Sequence, residues 1–240
     1  EEARKHTEDL ALINALNSAI NRGDSLDVIL EIFTREASRM FLCKDATIYM
    51  LDEDGKRLVM QNLTLPSRLI KKIEKMIGRP LPPIQIPIRE DGYFKRILEN
   101  DEGTITTDSK VIQEWMQEFS ETTFLPHALR GVIRKLIPQI YNLLDICSTM
   151  TVPLISAGTA IGLLGLASNA FFTEEDLKRV RNISGQVTEA ILRKQAEEKL
   201  QESEKRFRNL VETTSDWIWE IDSRGIYTYA SPRVFDLLGY

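Results

Sequence analysis

Apolar and polar positions change period several times along the chain, and each change marks an element. Leu10, Ile13, Leu16 and Ile20 recur at helical spacing and predict a helix over 1–21, which Arg22-Gly23-Asp24 breaks. A second helix, capped by Asp24 or Ser25, runs to about Met40 with Leu26, Ile29, Leu30, Phe33 and Ala37 facing inward. Residues 45–51 alternate as a strand does, Asp52-Glu53-Asp54-Gly55 turns, and residues 57–63 return, which predicts a hairpin. Residues 66–77 read as a helix closed by Gly78. Pro80, Pro82, Pro83 and Pro87 then force extended, irregular backbone up to Ile88. A short helix over 92–99 and a brief strand over 103–107 follow, with Asp108 or Ser109 as the next cap. From Ser109 to Asp145 the pattern gives helices broken near Thr122 and Pro138. Their apolar face carries Leu125, Leu129, Val132, Ile133, Leu136, Ile140, Leu143 and Leu144.

The segments 149–155 and 160–168 are apolar and flank Ser156-Ala157-Gly158-Thr159, the mark of a second, tight hairpin. The stretch from Ile146 to Thr173 carries no charge and is long enough to span a bilayer. Pro153, Gly158, Gly162 and Gly165 argue instead for a central hairpin buried on both faces. Thr173 with Glu174, Glu175 and Asp176 behind it opens a helix in which Leu177, Val180, Ile183, Val187, Ala190 and Ile191 keep helical spacing. Strands at both ends of a helical middle predict an antiparallel sheet with helices on it, an α+β domain with a long C-terminal linker helix.

That last helix carries two apolar registers. Val180, Ile183, Val187 and Ala190 keep one, and Leu200, Ser203, Phe207 and Leu210 keep another, offset by one residue. Such a discontinuity changes coiled-coil winding locally. The pattern predicts a homodimer paired through this helix and through Leu10–Ile20, with the register break as a switch.

Length and charge narrow the function. The 240 residues suit one or two domains, and the 42% hydrophobic and 28% charged content is that of a globular protein. A net charge of -5 argues against nucleic acid or an anionic membrane as the main partner. Cys43 and Cys147 form neither a metal spacing nor a CxxC pair, which fits a reducing, cytoplasmic setting. The chain opens at Glu1 with neither Met nor a signal-peptide pattern and reads as a piece of a longer protein. No phosphate-binding loop, dinucleotide fingerprint or HExxH motif is present, so no catalytic and no metal-binding residue is assigned.

Residues about 8–195 resemble a GAF domain. The resemblance rests on Asp45-Ala46-Thr47-Ile48-Tyr49-Met50-Leu51 with Asp54-Gly55 behind it, on Thr106-Thr107-Asp108, and above all on three motifs in order. These are Thr151-Val152-Pro153-Leu154, Gly162-Leu163-Leu164-Gly165-Leu166 and Phe172-Thr173-Glu174-Glu175-Asp176-Leu177. From Ser203 the chain resembles the start of a PAS domain, through Arg206-Phe207-Arg208-Asn209-Leu210, Asp216-Trp217-Ile218-Trp219-Glu220-Ile221-Asp222 and Leu237-Leu238-Gly239-Tyr240. The resemblance divides the chain into an incoming linker helix (1–9), a GAF-like sensory domain (10–195), a helical linker (196–212) and a truncated PAS-like start (213–240). It implies the sensory region of a histidine kinase, a two-component signal-transduction protein, although no phosphoacceptor or ATP-binding box lies in this chain. Bilin, cyclic-nucleotide and methionine-sulfoxide-reductase types are set aside, because their signature residues do not occur here.

The expected ligand-binding set is Tyr49, Met60, Phe94, Trp115, Phe119, His127 and Cys147. Trp115 and Phe119 are four apart and share a helix face, and with Met116 and Phe124 they wall a pocket between sheet and middle segment. His127 follows Pro126 at a helix start, where it is either a plain turn residue or a ligand contact. Cys147 precedes the inner hairpin and is either packing or, with His127, the thiolate of a haem site. The cofactor stays unknown at this point. The leading expectation is a small-molecule sensor that signals through a dimeric helical linker. The alternatives are a ligand-free dimerisation spacer and a haem-based redox or gas sensor.

Overall fold

The computed structural model describes residues 2–62, 64–122, 127–213 and 216–239. They form two compact units, residues 1–191 and 192–240.

The first unit opens with helices α1 (Glu2–Asn21) and α2 (Leu26–Met40) and the hairpin β1 (Asp45–Leu51)–β2 (Arg57–Met60). Helix α3 (Ser67–Ile77), strand β3 (Gln85–Pro87), helix α4 (Tyr93–Leu98) and strand β4 (Thr104–Thr106) follow. Next come α5 (Ser109–Glu118), a single tight turn (Phe119–Glu121) and α6 (His127–Leu144). The second hairpin is β5 (Ser148–Ser156)–β6 (Thr159–Ser168), and α7 (Glu174–Thr213) runs on from it. Local chemistry sets the ends. Gly78 closes α3 in the left-handed conformation that a Cβ disfavours, and the Asp108 side chain accepts the Lys110 N–H at the start of α5. Ser25 occupies the cap position of α2 without a side-chain capping bond. At α7 the cap is reciprocal. Thr173 Oγ1 accepts from the Asp176 N–H, and the Asp176 carboxylate accepts from the Thr173 N–H. The β5–β6 turn has two residues, Ala157 (φ 48°) and Gly158 (φ 76°), both left-handed as a tight hairpin of this twist requires.

The six strands pair antiparallel in the order β3-β2-β1-β6-β5-β4. Register places Tyr49 opposite Leu163 and Thr151 opposite Gly165. Strand alternation sorts the residues onto two faces. Ala46, Ile48, Met50, Met150, Val152, Leu154, Leu164 and Leu166 face one core, built with Leu12 and Leu16 of α1, Ile29, Leu30 and Phe33 of α2, and Val180, Ile183, Val187 and Ala190 of α7. The opposite face carries Tyr49 and Leu163 in one cluster with α4, and Ala167 in a second with α3, α5 and α6. The α+β antiparallel sheet flanked by helices is thus present, with a long C-terminal helix.

Three sequence expectations change. Pro87 lies in a strand, and that strand is the sheet edge, where a missing N–H costs no ladder bond. Pro138 sits inside α6 and does not end it, because Ile133, Ile137, Ile140 and Leu144 bury the face on both sides of it. The apolar register of Val180, Ile183, Val187 and Ala190 is spent inside the chain: Val187 is 2% exposed in the α1–α2–α7 core. Leu200, Phe207 and Leu210 are exposed.

The second unit holds the C-terminal part of α7, the hairpin β7 (Trp219–Ile221)–β8 (Tyr227–Ala230) and helix α8 (Arg233–Leu238). Ser231 closes it by exchanging bonds with Ile218: its N–H donates to the Ile218 carbonyl and its Oγ accepts the Ile218 N–H. Trp219, Tyr227, Tyr229, Phe235, Leu237 and Leu238 are exposed on this two-stranded unit. Among the described residues, no helix is long and apolar enough to cross a membrane.

Candidate functional site: a cavity under the sheet

The sheet face opposite α1, α2 and α7 is not filled by side chains alone. A cavity of about 170 Å³ lies between it and helices α3, α5 and α6. Its wall is aliphatic: Ile73 and Ile77 from α3, Ile133, Ile137, Ile140 and Leu144 from α6, and Ile146 just beyond. Each helix brings its residues three or four apart, so one stripe of each faces inward. Aromatic residues form the end wall. Trp115 and Phe119 have ring centroids 5.5 Å apart, Phe94 and Trp115 6.0 Å, and Tyr49 and Phe119 6.1 Å. Tyr93 stacks on Trp115 at 6.0 Å, and its hydroxyl shares a hydrogen bond of 3.3 Å with the Thr151 hydroxyl.

At the sheet the cavity adjoins a recess of about 30 Å³, and Asp45, Tyr49, Trp115 and Ala167 line both. The floor of the recess is polar, with Asp45 and Thr47 on β1 and Thr149 and Thr151 on β5, while Gly165 of β6 leaves room between the strands. The Asp45 carboxylate accepts from Thr47 Oγ1 at 2.7 Å, from Thr64 Oγ1 at 3.0 Å and from the Thr64 N–H at 3.2 Å. Burial raises its pKa above the usual carboxylate value despite those three bonds. Burial, with the Asp45 charge adding to it, holds the Tyr49 phenol well above its ordinary value. The Thr149 hydroxyl is buried without a partner among the described residues.

A second, polar hollow of about 230 Å³ lies on the far side of Trp115, lined by Arg89, Arg96, Glu114, Glu118 and Arg134. Glu118 accepts the Tyr93 N–H at 2.7 Å, and burial raises its pKa.

Of the expected site residues, Tyr49, Met60, Phe94, Trp115 and Phe119 come together around Tyr49 in one cluster. Tyr49, Met60, Trp115 and Phe119 line the cavity, and Phe94 lines the recess. His127 begins α6, and its side chain, like Phe124 and Leu125, lies outside the described residues. Cys147 is half-buried. Its N–H donates to the Ser168 carbonyl, and its neighbour Ile146 is the residue that reaches the cavity. Asp45 and Thr149 are the polar lining residues of the recess that sequence reading passes over. The signal for Asp45 is an acid opening an otherwise apolar strand, and Thr149 carries no such signal. The cavity is smaller than the roughly 300–1,000 Å³ of drug-sized sites and close to the roughly 150 Å³ engineered cavity that holds benzene. A tetrapyrrole does not fit it. Among the described residues no cluster of three or more metal-ligating side chains occurs.

A family model for the GAF domain matches residues 23–192, and one for the PAS domain matches residues 205–240. The chain belongs to the GAF domain family, with a PAS-like segment following the GAF domain in the sequence. Solved structures agree at the level of fold. The GAF domain of a phosphoenolpyruvate-protein phosphotransferase from Coxiella burnetii is 13% identical, with a TM-score of 0.54 over 80% of this chain and 98% of that one. The phycoerythrobilin-bound GAF domain of a cyanobacterial phytochrome is 12% identical, with a TM-score of 0.52 over 79% and 97%. The chromophore-binding domain of a bacteriophytochrome from R. palustris is 13% identical, with a TM-score of 0.53 over 82% of this chain and 64% of that one. No curated protein matches the chain.

Proposed function

We propose that this chain is the sensory input module of a cytoplasmic signal-transduction protein of the sensor histidine kinase type, and that a small ligand in the cavity under the sheet is its signal. One observation carries the reading: α6 supplies four residues of the cavity wall and then enters the central hairpin directly through Asp145 and Ile146. Asp145 is left-handed (φ 52°), and its carboxylate pairs with Lys44 at 2.5 Å, just before β1. A ligand that displaces α6 therefore acts on the β5–β6 hairpin, and β6 leads into α7. Two copies pair through their helices, with Leu10 of α1 and Leu200, Phe207 and Leu210 of α7 as the exposed apolar positions available for it. The ligand-free spacer reading fits a filled core, and the cavity weighs against it.

Toluene, matched to the cavity in size, is the test. Titration calorimetry on the chain is expected to show one site, and hydrogen exchange at saturation is expected to slow in α6 and in residues 174–191 of α7. No heat and no change in exchange up to the solubility limit, with toluene or with a ring of the same size carrying a polar head group, refutes a ligand-binding sensor. Sedimentation is expected to give a dimer that Phe207→Glu weakens; a monomer at all concentrations refutes the pairing.

A further inference from the structure

Accepting the cavity as the ligand site, its polar end restricts the chemistry of the ligand. Asp45 is the charged side chain lining both the aliphatic cavity and the adjoining recess, and no Lys, Arg or His joins it there among the described residues. The nearest base in sequence, Lys44, is engaged by Asp145 at 2.5 Å. Removing a carboxylate from water without a counter-charge is costly, and burial already pushes Asp45 toward its protonated form. The recess is the size of one water molecule, or of one head group on a larger ligand. Its floor offers a second acceptor, the Thr149 hydroxyl, which is 3% exposed as a residue and has no partner among the described residues. Its walls are the rings of Tyr49, Phe94 and Trp115, and aromatic faces attract organic cations.

We infer that the cavity binds a compact primary amine, with the ammonium group in the recess donating to Asp45 and Thr149 and a ring or short apolar body among the Ile and Leu side chains of α3 and α6. A carboxylate or phosphate head is rejected by Asp45. A neutral head makes the same contacts without the charge-assisted gain. The apolar body is limited to about one six-membered ring by the volume.

Benzylamine, benzyl alcohol and benzoate share one body and differ in the head group. Titration calorimetry on the chain near neutral pH is expected to rank benzylamine about tenfold or more above benzyl alcohol, the effect of one charge-assisted bond, with benzoate not binding. Asp45→Asn keeps a side-chain oxygen for Thr64 and brings benzylamine down to the affinity of benzyl alcohol, leaving the alcohol within about twofold. Thr149→Val, which is close in shape, lowers benzylamine severalfold and is the control should Asp45→Asn fold poorly. Equal binding of amine and alcohol, tighter binding of benzoate, or an amine affinity insensitive to both variants overturns the inference. If toluene still binds in those cases, the sensor reading stands and the amine reading alone is lost. If neither toluene nor any of the three binds, both are lost.

Discussion

Replacing Arg179 with Ala tests whether helices α1 and α7 of the first unit are mechanically joined. Arg179 of α7 donates from Nη2 to Asp9 Oδ1 at 2.7 Å and to the Lys5 carbonyl at 3.3 Å, both on α1. Its guanidinium carbon stands 5.1 Å from the ring centroid of Phe41, at the end of α2. Side-chain exposures of 12% for Arg179 and 23% for Asp9 place the pair between a solvated ion pair, worth about 0–1 kcal/mol, and a buried one, whose disruption costs about 3–5 kcal/mol. A coupling of about 1–2 kcal/mol between Arg179 and Asp9 follows, with about 0.5–1 kcal/mol more from the ring. Urea unfolding of wild type, Arg179→Ala, Asp9→Ala and the double variant gives the coupling directly. Arg179→Ala is expected to lower stability by about 1.5–3 kcal/mol and Tm by roughly 3–12 °C for a unit of this size. Arg179→Lys is expected to recover less than half of the loss, since an ammonium can neither fork onto Asp9 nor stack on Phe41. A coupling below about 0.3 kcal/mol, or full rescue by Lys, refutes a joined α1–α7 pair.

Three further outcomes follow from the packing. Gly162→Ala is expected to prevent native pairing of β1 with β6, because a Cβ there would overlap the Tyr49 carbonyl oxygen; a native-like circular dichroism spectrum and Tm would contradict this. Asp45 has its folded pKa raised above 3.8, so its contribution to stability is fully present below that value and is lost as pH rises through the folded pKa. Asp45→Asn should therefore gain relative to wild type as pH rises above about 4, and parallel stability profiles would refute it. Burial pushes the Cys43 thiol up to about 12, so iodoacetamide near pH 8 should alkylate Cys43 in a Cys147→Ser variant far more slowly in the folded chain than in urea.

Much of the fold was legible because its signals are local. The apolar spacing of Leu26, Ile29, Leu30, Phe33 and Ala37, the Thr173 cap with its acids, Gly78 after α3 and the Ala157-Gly158 turn each act within a few residues, and all appear as read. Within the site, Tyr49, Met60, Phe94, Trp115 and Phe119 were legible as large apolar side chains on elements that must face the sheet. The aliphatic wall from α3 and α6 was legible as stripes but not as a cavity, since a stripe does not say whether its partner fills the space against it. Pro87 and Pro138 misled because proline rules describe an isolated element. An edge position and a buried face respectively cancelled them.

The sequence by itself determined the order of elements, both hairpins, the helix caps, and the GAF and PAS-like segments, since those depend on periodicity and on short motifs. Tertiary structure alone decided which apolar stripes are spent inside the chain. Val187 has the spacing of a dimer seam, yet it packs against α1 and α2 because three helices share one face of the sheet. Tertiary structure also decided the site. Strand order sets β1 beside β6, and β6 beside β5, which brings Asp45 and Thr149 to one recess although 104 positions separate them in the sequence. Periodicity reports which way a residue faces along its own element; what it meets there depends on strand pairing across the whole chain, and no local pattern encodes that.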